Sequence, residues 1–309
     1  MVAPSAEIAP GEEANYVLQL RALPEWRSLA VELSEVTDRM VDIFETGTLI
    51  VGWDAGDRRL VAQFAQLARD FGAAVEPVGR SSSPAMFDGV SGRINDGFFV
   101  GGDAWVDPDQ AMEVVAEANE RLGVHVIGEL VDSVSSSPTG VGAKTALGDY
   151  HAAVGILATG AVALPRGAEV SDENVVRPVR GMTMRVEGLD RSAQPTIRAF
   201  VHGHMFYMVS RPGGYCVLGA TSDERREPIV EVGETQRLLR DALDVVPALE
   251  SASIVEARVG LRPASRDLRP FFEILPGGRW AWSSGHYRHG VTLAPIAALD
   301  ALGFAVGTV

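Results

Sequence analysis

Residues 285–290 read Gly-His-Tyr-Arg-His-Gly and lead straight into an apolar run, 291–309. Few features constrain a fold more. A glycine at each end frees the turn, and the run behind it predicts a helix beginning near Val291. The first backbone N–H groups of that helix have no intrahelical acceptor, so the turn faces about half a positive elementary charge. Such an end suits an anion or an electron-rich ring edge. Upstream, Gly260-Leu261-Arg262-Pro263 brings a second arginine into a similar setting. A guanidinium in such a place can grip a carboxylate through two parallel hydrogen bonds. Either turn alone reads equally as a helix start with a surface ion pair; the two together favour a ligand site around Arg262 and Arg288. Asp300 and Pro295 interrupt the apolar run, which barely reaches bilayer-spanning length, so a buried helix is expected.

The rest of the composition narrows the class. With 309 residues, 46% hydrophobic and 22% charged, the chain has ample material for one large domain or two interleaved ones. A net charge of −14 argues against nucleic acid and against anionic membrane surfaces, both of which call for basic faces. Cys216, the single cysteine, lies in an apolar run, where it reads as a small core residue; no intrachain disulfide can form and a reducing cytoplasm fits. Residues 1–14 have neither a basic region nor an apolar core, so they do not read as a secretory signal.

Taken in order, residues 11–39 predict a helix in two pieces broken near Pro24, 48–53 a strand, 58–71 an amphipathic helix and 98–100 the end of another strand. Asp107-Pro108 is a helix start, with Gly123 just past the end of that helix. Strands are expected at 124–134, in a hairpin partner ending near Leu147, and at 154–157, the last running into Ala158-Thr159-Gly160-Ala161. This order resembles the later half of a dinucleotide-binding sheet, whose ligands sit beyond the carboxyl ends of the strands. From Arg177 the texture turns β-rich, with short strands parted by glycine and proline, as in a mostly antiparallel sheet. A helix over 233–246, with Leu238, Leu239, Leu243 and Val246 facing inward, is followed by a strand over 254–261 that delivers Arg262.

Several of these segments together resemble the flavin-dependent amino-acid oxidases related to D-amino-acid oxidase, and within them the glycine-oxidase branch of thiamine biosynthesis. The segments are MVAP followed by EIAPGEEA at the start, VDP at 106–108, ILATGA at 156–161 and RPVRGM at 177–182. They continue with FYMVSRPGGYCVLGAT at 206–221, GLRP at 260–263 and GHYRHGVTLAP at 285–295. The resemblance implies a mixed α/β fold: an FAD-binding Rossmann-like domain over 1–35, 105–165 and 285–309, interleaved with an antiparallel-sheet substrate domain over 36–104 and 166–284. It further implies that Arg262 holds the substrate carboxylate, with Arg288 beside it and Tyr207 closing the pocket or bonding the carboxylate. The flavin would be touched by Met1, Ala158, Thr159, Gly160 and the stretch His286, Tyr287, Arg288, His289, Gly290, Val291 and Thr292, with Val131 on the adenine side. The implied reaction is oxidation of glycine or another small amino acid to an imine and then an oxo acid, with dioxygen as electron acceptor and hydrogen peroxide released. A sarcosine- or D-amino-acid-type oxidase or dehydrogenase is the alternative within the fold. No metal, nucleic acid or membrane is implied, and a homo-oligomer is allowed. His202 and His204, near Tyr207, read either as pocket lining or as surface histidines.

One feature departs from the family. The strand, G-x-G-x-x-G turn and helix that cradle a pyrophosphate are missing; Gly140 and Gly142 open onto a hairpin and do not supply them. An internal methionine taken as the start of a longer active protein would explain this, as would a truncated, non-catalytic remnant. On either account the 309-residue chain is expected to hold FAD poorly. Smaller departures are Ser210 in place of a proline, Pro-Phe-Phe-Glu at 270–273, and an end soon after the helix that follows Gly290.

Overall fold

The β-rich texture that begins at Arg177 becomes four long strands in sequence, Arg177–Glu187, Thr196–Val201, His204–Arg211 and Tyr215–Gly219. In the computed structural model, which describes residues 1–9, 11–191 and 193–308, they form the middle of an eight-stranded sheet. The order across it is Ser253–Ala264, Arg177–Glu187, Tyr215–Gly219, His204–Arg211, Thr196–Val201, Thr48–Gly52, Asp96–Val100 and Glu76–Gly79. Thr196–Val201 runs parallel to Thr48–Gly52, while the pairs flanking them are antiparallel.

Period-two alternation sorts this sheet into two faces. Phe206, Met208, Cys216 and Leu218 join one buried cluster with Leu49, Ile197, Leu238 and Val245. Tyr207, Val209 and Arg211 alternate with them and lie on the other face. Helix Val232–Val245 covers the first face through Leu238, Ala242 and Val245. Of the residues expected to face inward, Leu238 and Val246 are buried and Leu239 packs on the same cluster, while Leu243 is 39% exposed. A turn of 3.6 residues carries position 243 outward once 238, 242 and 245 are buried.

Helix Ala55–Asp70 begins three residues before the expected start, because Asp54 and Asp57 form a reciprocal capping box. The Asp57 carboxylate also accepts the amides of His202 and Gly203, at 2.9 Å each, and so fixes the hairpin turn before Tyr207's strand. Residues 1–20, 43–106 and 180–261 make up this unit by compactness.

The second compact unit comprises residues 21–42, 107–179 and 262–309. Contact thus groups residues 1–20 with the large sheet, and 166–179 and 262–284 with the smaller sheets. Its helices include Ala22–Thr37 and Pro108–Arg121, the latter capped by Asp107 through the Asp109 amide at 3.0 Å. The expected break near Pro24 falls instead between Gln19 and Ala22. Proline is tolerated in a first helical turn because its missing N–H would have no intrahelical acceptor.

Two small sheets complete the unit: Val131–Ser137, Gly140–Thr145 and Asp149–Ala152 in one, Phe271–Ile274, Trp280–Ser284 and Gly155–Leu157 in the other. The strand expected from residue 124 starts only at Val131. Among the described residues no strand pairs with 124–130, whose Val126 and Leu130 are exposed.

Helix Gly290–Thr308 is apolar except for its threonines and the exposed Asp300, and Val309 lies outside the described residues. The expectation that it is buried holds for Thr292, Leu293, Pro295 and Ile296 and for Phe304, while Leu299, Leu302 and Val306 are exposed. By length and composition, residues 287–308 could cross a membrane. Pro295 cannot donate to the Val291 carbonyl one turn back. The Trp26 indole N–H takes over that role at 3.0 Å and ties the helix start to Ala22–Thr37.

Candidate active site

The second unit brings most of the anticipated site residues onto one framework. Gly155–Leu157 and Trp280–Ser284 run parallel, with Ala281 opposite Ile156 and Trp282 opposite Leu157. Their carboxyl ends therefore point the same way, toward Ala158-Thr159-Gly160 on one strand and the 285–290 turn on the other. The Ser284 hydroxyl donates to the Gly160 carbonyl at 3.2 Å and joins the two ends. In an open parallel sheet this is where a ligand sits. Sequence reasoning missed Ser284: alternation in Trp-Ala-Trp-Ser-Ser marks a strand but cannot name a partner 124 residues away.

The 285–290 turn is held by its glycine. Gly285 has φ +77°, and a Cβ there would lie 2.8 Å from the Arg269 carbonyl oxygen. A short 3-10 turn, Tyr287–His289, then feeds the helix that starts at Gly290. Tyr287 itself has φ +47°. Arg288 Nε lies 3.2 Å from His289 Nε2. Burial holds the His286 imidazole below its usual pKa, the nearby His289 acts in the same direction and Asp300 opposes it. His286 is thereby kept neutral at pH 7, and the guanidinium of Arg288 is the turn's fixed positive charge.

Arg262 is half-buried on strand Ser253–Ala264. Two residues on, Ala264 forms an antiparallel bridge with His286, itself two residues before Arg288. That bridge brings the two arginine-bearing segments side by side. Of the other anticipated residues, Val131 begins the hairpin sheet and is partly exposed. Met1 packs against a cluster containing Ala3, Ile8, Tyr16 and Val61. Pro10, inside the EIAPGEEA segment, lies outside the described residues. Tyr207 sits between Arg198 and Gly219 on its neighbouring strands. His202 and His204 stand at the exposed hairpin end, with His202 Nε2 2.9 Å from Asp244 Oδ2 and His204 Nδ1 3.9 Å from Asp241 Oδ2. Cys216 is buried, and that burial raises its pKa, as suits an inert core thiol.

Two polar atoms beside the parallel strands test whether a ring-bearing cofactor fits. Thr159 Oγ1 and Trp282 Nε1 are buried with no hydrogen-bond partner among the described residues. Gly160 has φ +60° and open space where a Cβ would stand. An orphaned donor costs free energy that a polar ligand edge recovers. These residues, with the helix end at Gly290, fit the ring end of a flavin. The pyrophosphate is a different matter, because the 309 residues contain no strand leading into G-x-G-x-x-G.

The parallel pair thus ends in this glycine turn, with the arginines on adjoining segments. Residues 1–301 match the DAO family, FAD dependent oxidoreductase, and the chain belongs to that family. Among its relatives is the glycine oxidase of Geobacillus kaustophilus (strain HTA426), 28% identical over 291 residues, spanning 91% of this chain and 74% of that protein. The bifunctional protein ThiO/ThiG of Nostoc sp. is 28% identical over 293 residues, 88% of this chain and 42% of that one. The crystal structure of the Geobacillus kaustophilus glycine oxidase superposes with a TM-score of 0.83 at 24% identity, covering 94% of this chain and 78% of that one. That likeness establishes the fold: mixed α/β, with a large, mostly antiparallel sheet.

Proposed function

We propose that this chain is an FAD-dependent oxidase of glycine or another small amino acid, serving the formation of the thiamine thiazole. The observation that carries the reading is the Ala264–His286 bridge, which joins the two arginine segments beside the carboxyl ends of the parallel strands. Family membership and the glycine oxidase relatives support it. On this reading residues 155–160 and 280–292 belong to the cofactor part and the sheet bearing Tyr207 to the substrate part.

Arg262 grips the substrate carboxylate bidentately, Arg288 adds a second positive charge, and Tyr207 bonds the carboxylate. Fixing one end of so small a molecule fixes its Cα as well, and most of the rate comes from that positioning. Thr159, Gly160 and the 286–292 turn would hold the flavin ring, and the helix end at Gly290 would add a partial positive charge there. When bound, FAD supplies the two-electron acceptor for the Cα–H bond, and dioxygen restores it with release of hydrogen peroxide. The amino acid loses two electrons and two hydrogens to become an imine. Water then converts the imine to an oxo acid and ammonia; from glycine the oxo acid is glyoxylate. Neutral His286 adds no cation to repel the substrate amine. The net charge of −14 argues against a nucleic-acid partner, and we place the enzyme in the cytoplasm.

The test is peroxide formation from glycine, sarcosine and D-proline with excess FAD added. Glycine should be oxidised with the highest kcat/KM. Arg262→Leu should lower that value by roughly 30-fold or more, since breaking a desolvated charge pair costs about 2–5 kcal/mol. Unchanged kcat/KM in Arg262→Leu would sink the carboxylate clamp, and a preference for sarcosine or D-proline would sink the glycine assignment.

A further inference from the structure

We infer that Gly219 is a positioning residue for this reaction, because its missing side chain is what lets the Tyr207 phenol lie across the neighbouring strand. The inference rests on the reading of Tyr207 as a substrate contact. Tyr207 stands directly opposite Gly219 in the antiparallel pair of strands His204–Arg211 and Tyr215–Gly219. A Cβ built on Gly219 would lie 2.2 Å from Tyr207 Cζ, 2.4 Å from its hydroxyl oxygen and 2.7 Å from Cε1. No heavy atoms approach so closely without bonding, so the ring occupies the volume that any other residue at 219 would fill.

Two further observations bear on where the ring lies. Gly219 is absent from the glycines with positive φ, so the left-handed region that favours glycine is not what calls for it there. On Tyr207's other side stands Arg198, whose guanidinium is engaged by Glu7 Oε1 at 3.4 Å and by Met205 Sδ. The phenol therefore takes the glycine side. Both residues lie on the face opposite the buried cluster of Phe206, Met208 and Leu218. The ring thus lies over Gly219, in space that a side chain there would deny it.

An alanine at 219 must displace the ring and carry the hydroxyl away from its place. If that hydroxyl bonds the carboxylate in ground state and transition state alike, Gly219→Ala raises KM for glycine about tenfold or more while kcat changes little. The experiment labels the chain with 3-fluorotyrosine, giving one fluorine resonance for each of its five tyrosines. Tyr207 is assigned by the signal lost in Tyr207→Phe.

In Gly219→Ala the Tyr207 resonance should move while the other four stay. The double variant Gly219→Ala/Tyr207→Ala should have the same KM as Tyr207→Ala alone, because the second change has nothing left to displace. That non-additivity also separates positioning from a general loss of folding, which would worsen the double variant. A stationary Tyr207 resonance, or KM effects that simply add, overturns the inference. A resonance that moves while Tyr207→Phe leaves KM unchanged removes Tyr207 from substrate binding, and Gly219's part in the reaction falls with it.

Discussion

Replacing Asp103 with asparagine should make the protein more stable at pH 8 and leave its stability near pH 4 almost unchanged. Asp103 is buried, in the turn between strands Asp96–Val100 and Trp105–Val106. Burial raises its pKa from 3.8 to about 7; the Thr48 hydroxyl opposes the rise, Glu7 adds to it, and Arg198 and the Ser5 amide oppose it. A carboxyl raised in the folded state binds its proton more tightly there than in the unfolded chain. Below about pH 4 both states are protonated, and the group contributes no pH dependence. Between about pH 4 and 7 the unfolded state releases its proton first, so folding stability falls as pH rises. Three pKa units at about 1.4 kcal/mol each give a penalty of about 4 kcal/mol, complete above pH 7. Asparagine keeps the shape and cannot ionise. Urea unfolding followed by tryptophan fluorescence between pH 4 and 8.5 reads the difference directly. The stability of Asp103→Asn relative to the parent should climb with pH by up to about 1.4 kcal/mol per unit and level off near pH 7. Two parallel curves across that range would refute the reasoning.

Two further substitutions test the framework around the proposed site. Arg180 is buried, with Nη2 2.8 Å from Asp223 Oδ2 and 3.0 Å from Glu231 Oε2, and Nη1 donating to the Glu227 carbonyl at 3.2 Å. Arg180→Met strands two carboxylates and should cost about 3–5 kcal/mol, seen as a lower melting temperature and faster proteolysis within 223–231; an unchanged melt would count against the network. At Gly155 a Cβ would stand 2.2–2.6 Å from the Trp280 ring, whose indole N–H donates to the Ser135 carbonyl at 3.0 Å. Gly155→Ala should therefore cost about 1–3 kcal/mol or more by overpacking, with partial recovery in Gly155→Ala/Trp280→Leu. Equal melting temperatures for parent and Gly155→Ala would show that the ring moves freely.

Much of the secondary structure was legible because its signals are local. Asp107-Pro108 and Gly123 mark the two ends of one helix through capping and left-handed backbone geometry, and the structure has Pro108–Arg121 between them. Alternation and turn residues gave the strands from Arg177 onward. The errors fall where a partner decides. Residues 124–130 alternate like a strand yet have no neighbour to pair with among the described residues, and Pro24 does not break a helix whose first turn needs no N–H there. The exposed far half of helix Gly290–Thr308 was not readable from an apolar run, because burial depends on what packs beside it.

By itself the sequence determined the kinds of group available: the paired arginine segments, the glycines that free their turns, the apolar helix behind them, and the family motifs. These are properties of short stretches, set by side-chain chemistry and backbone sterics within a few residues. Only the tertiary structure decided who meets whom. Ala264 reaches His286, Ser284 reaches Gly160, Trp26 replaces the N–H that Pro295 lacks, and Gly219 makes room for Tyr207. Such pairings depend on sheet register and on packing between segments far apart in the chain, and no local pattern encodes either.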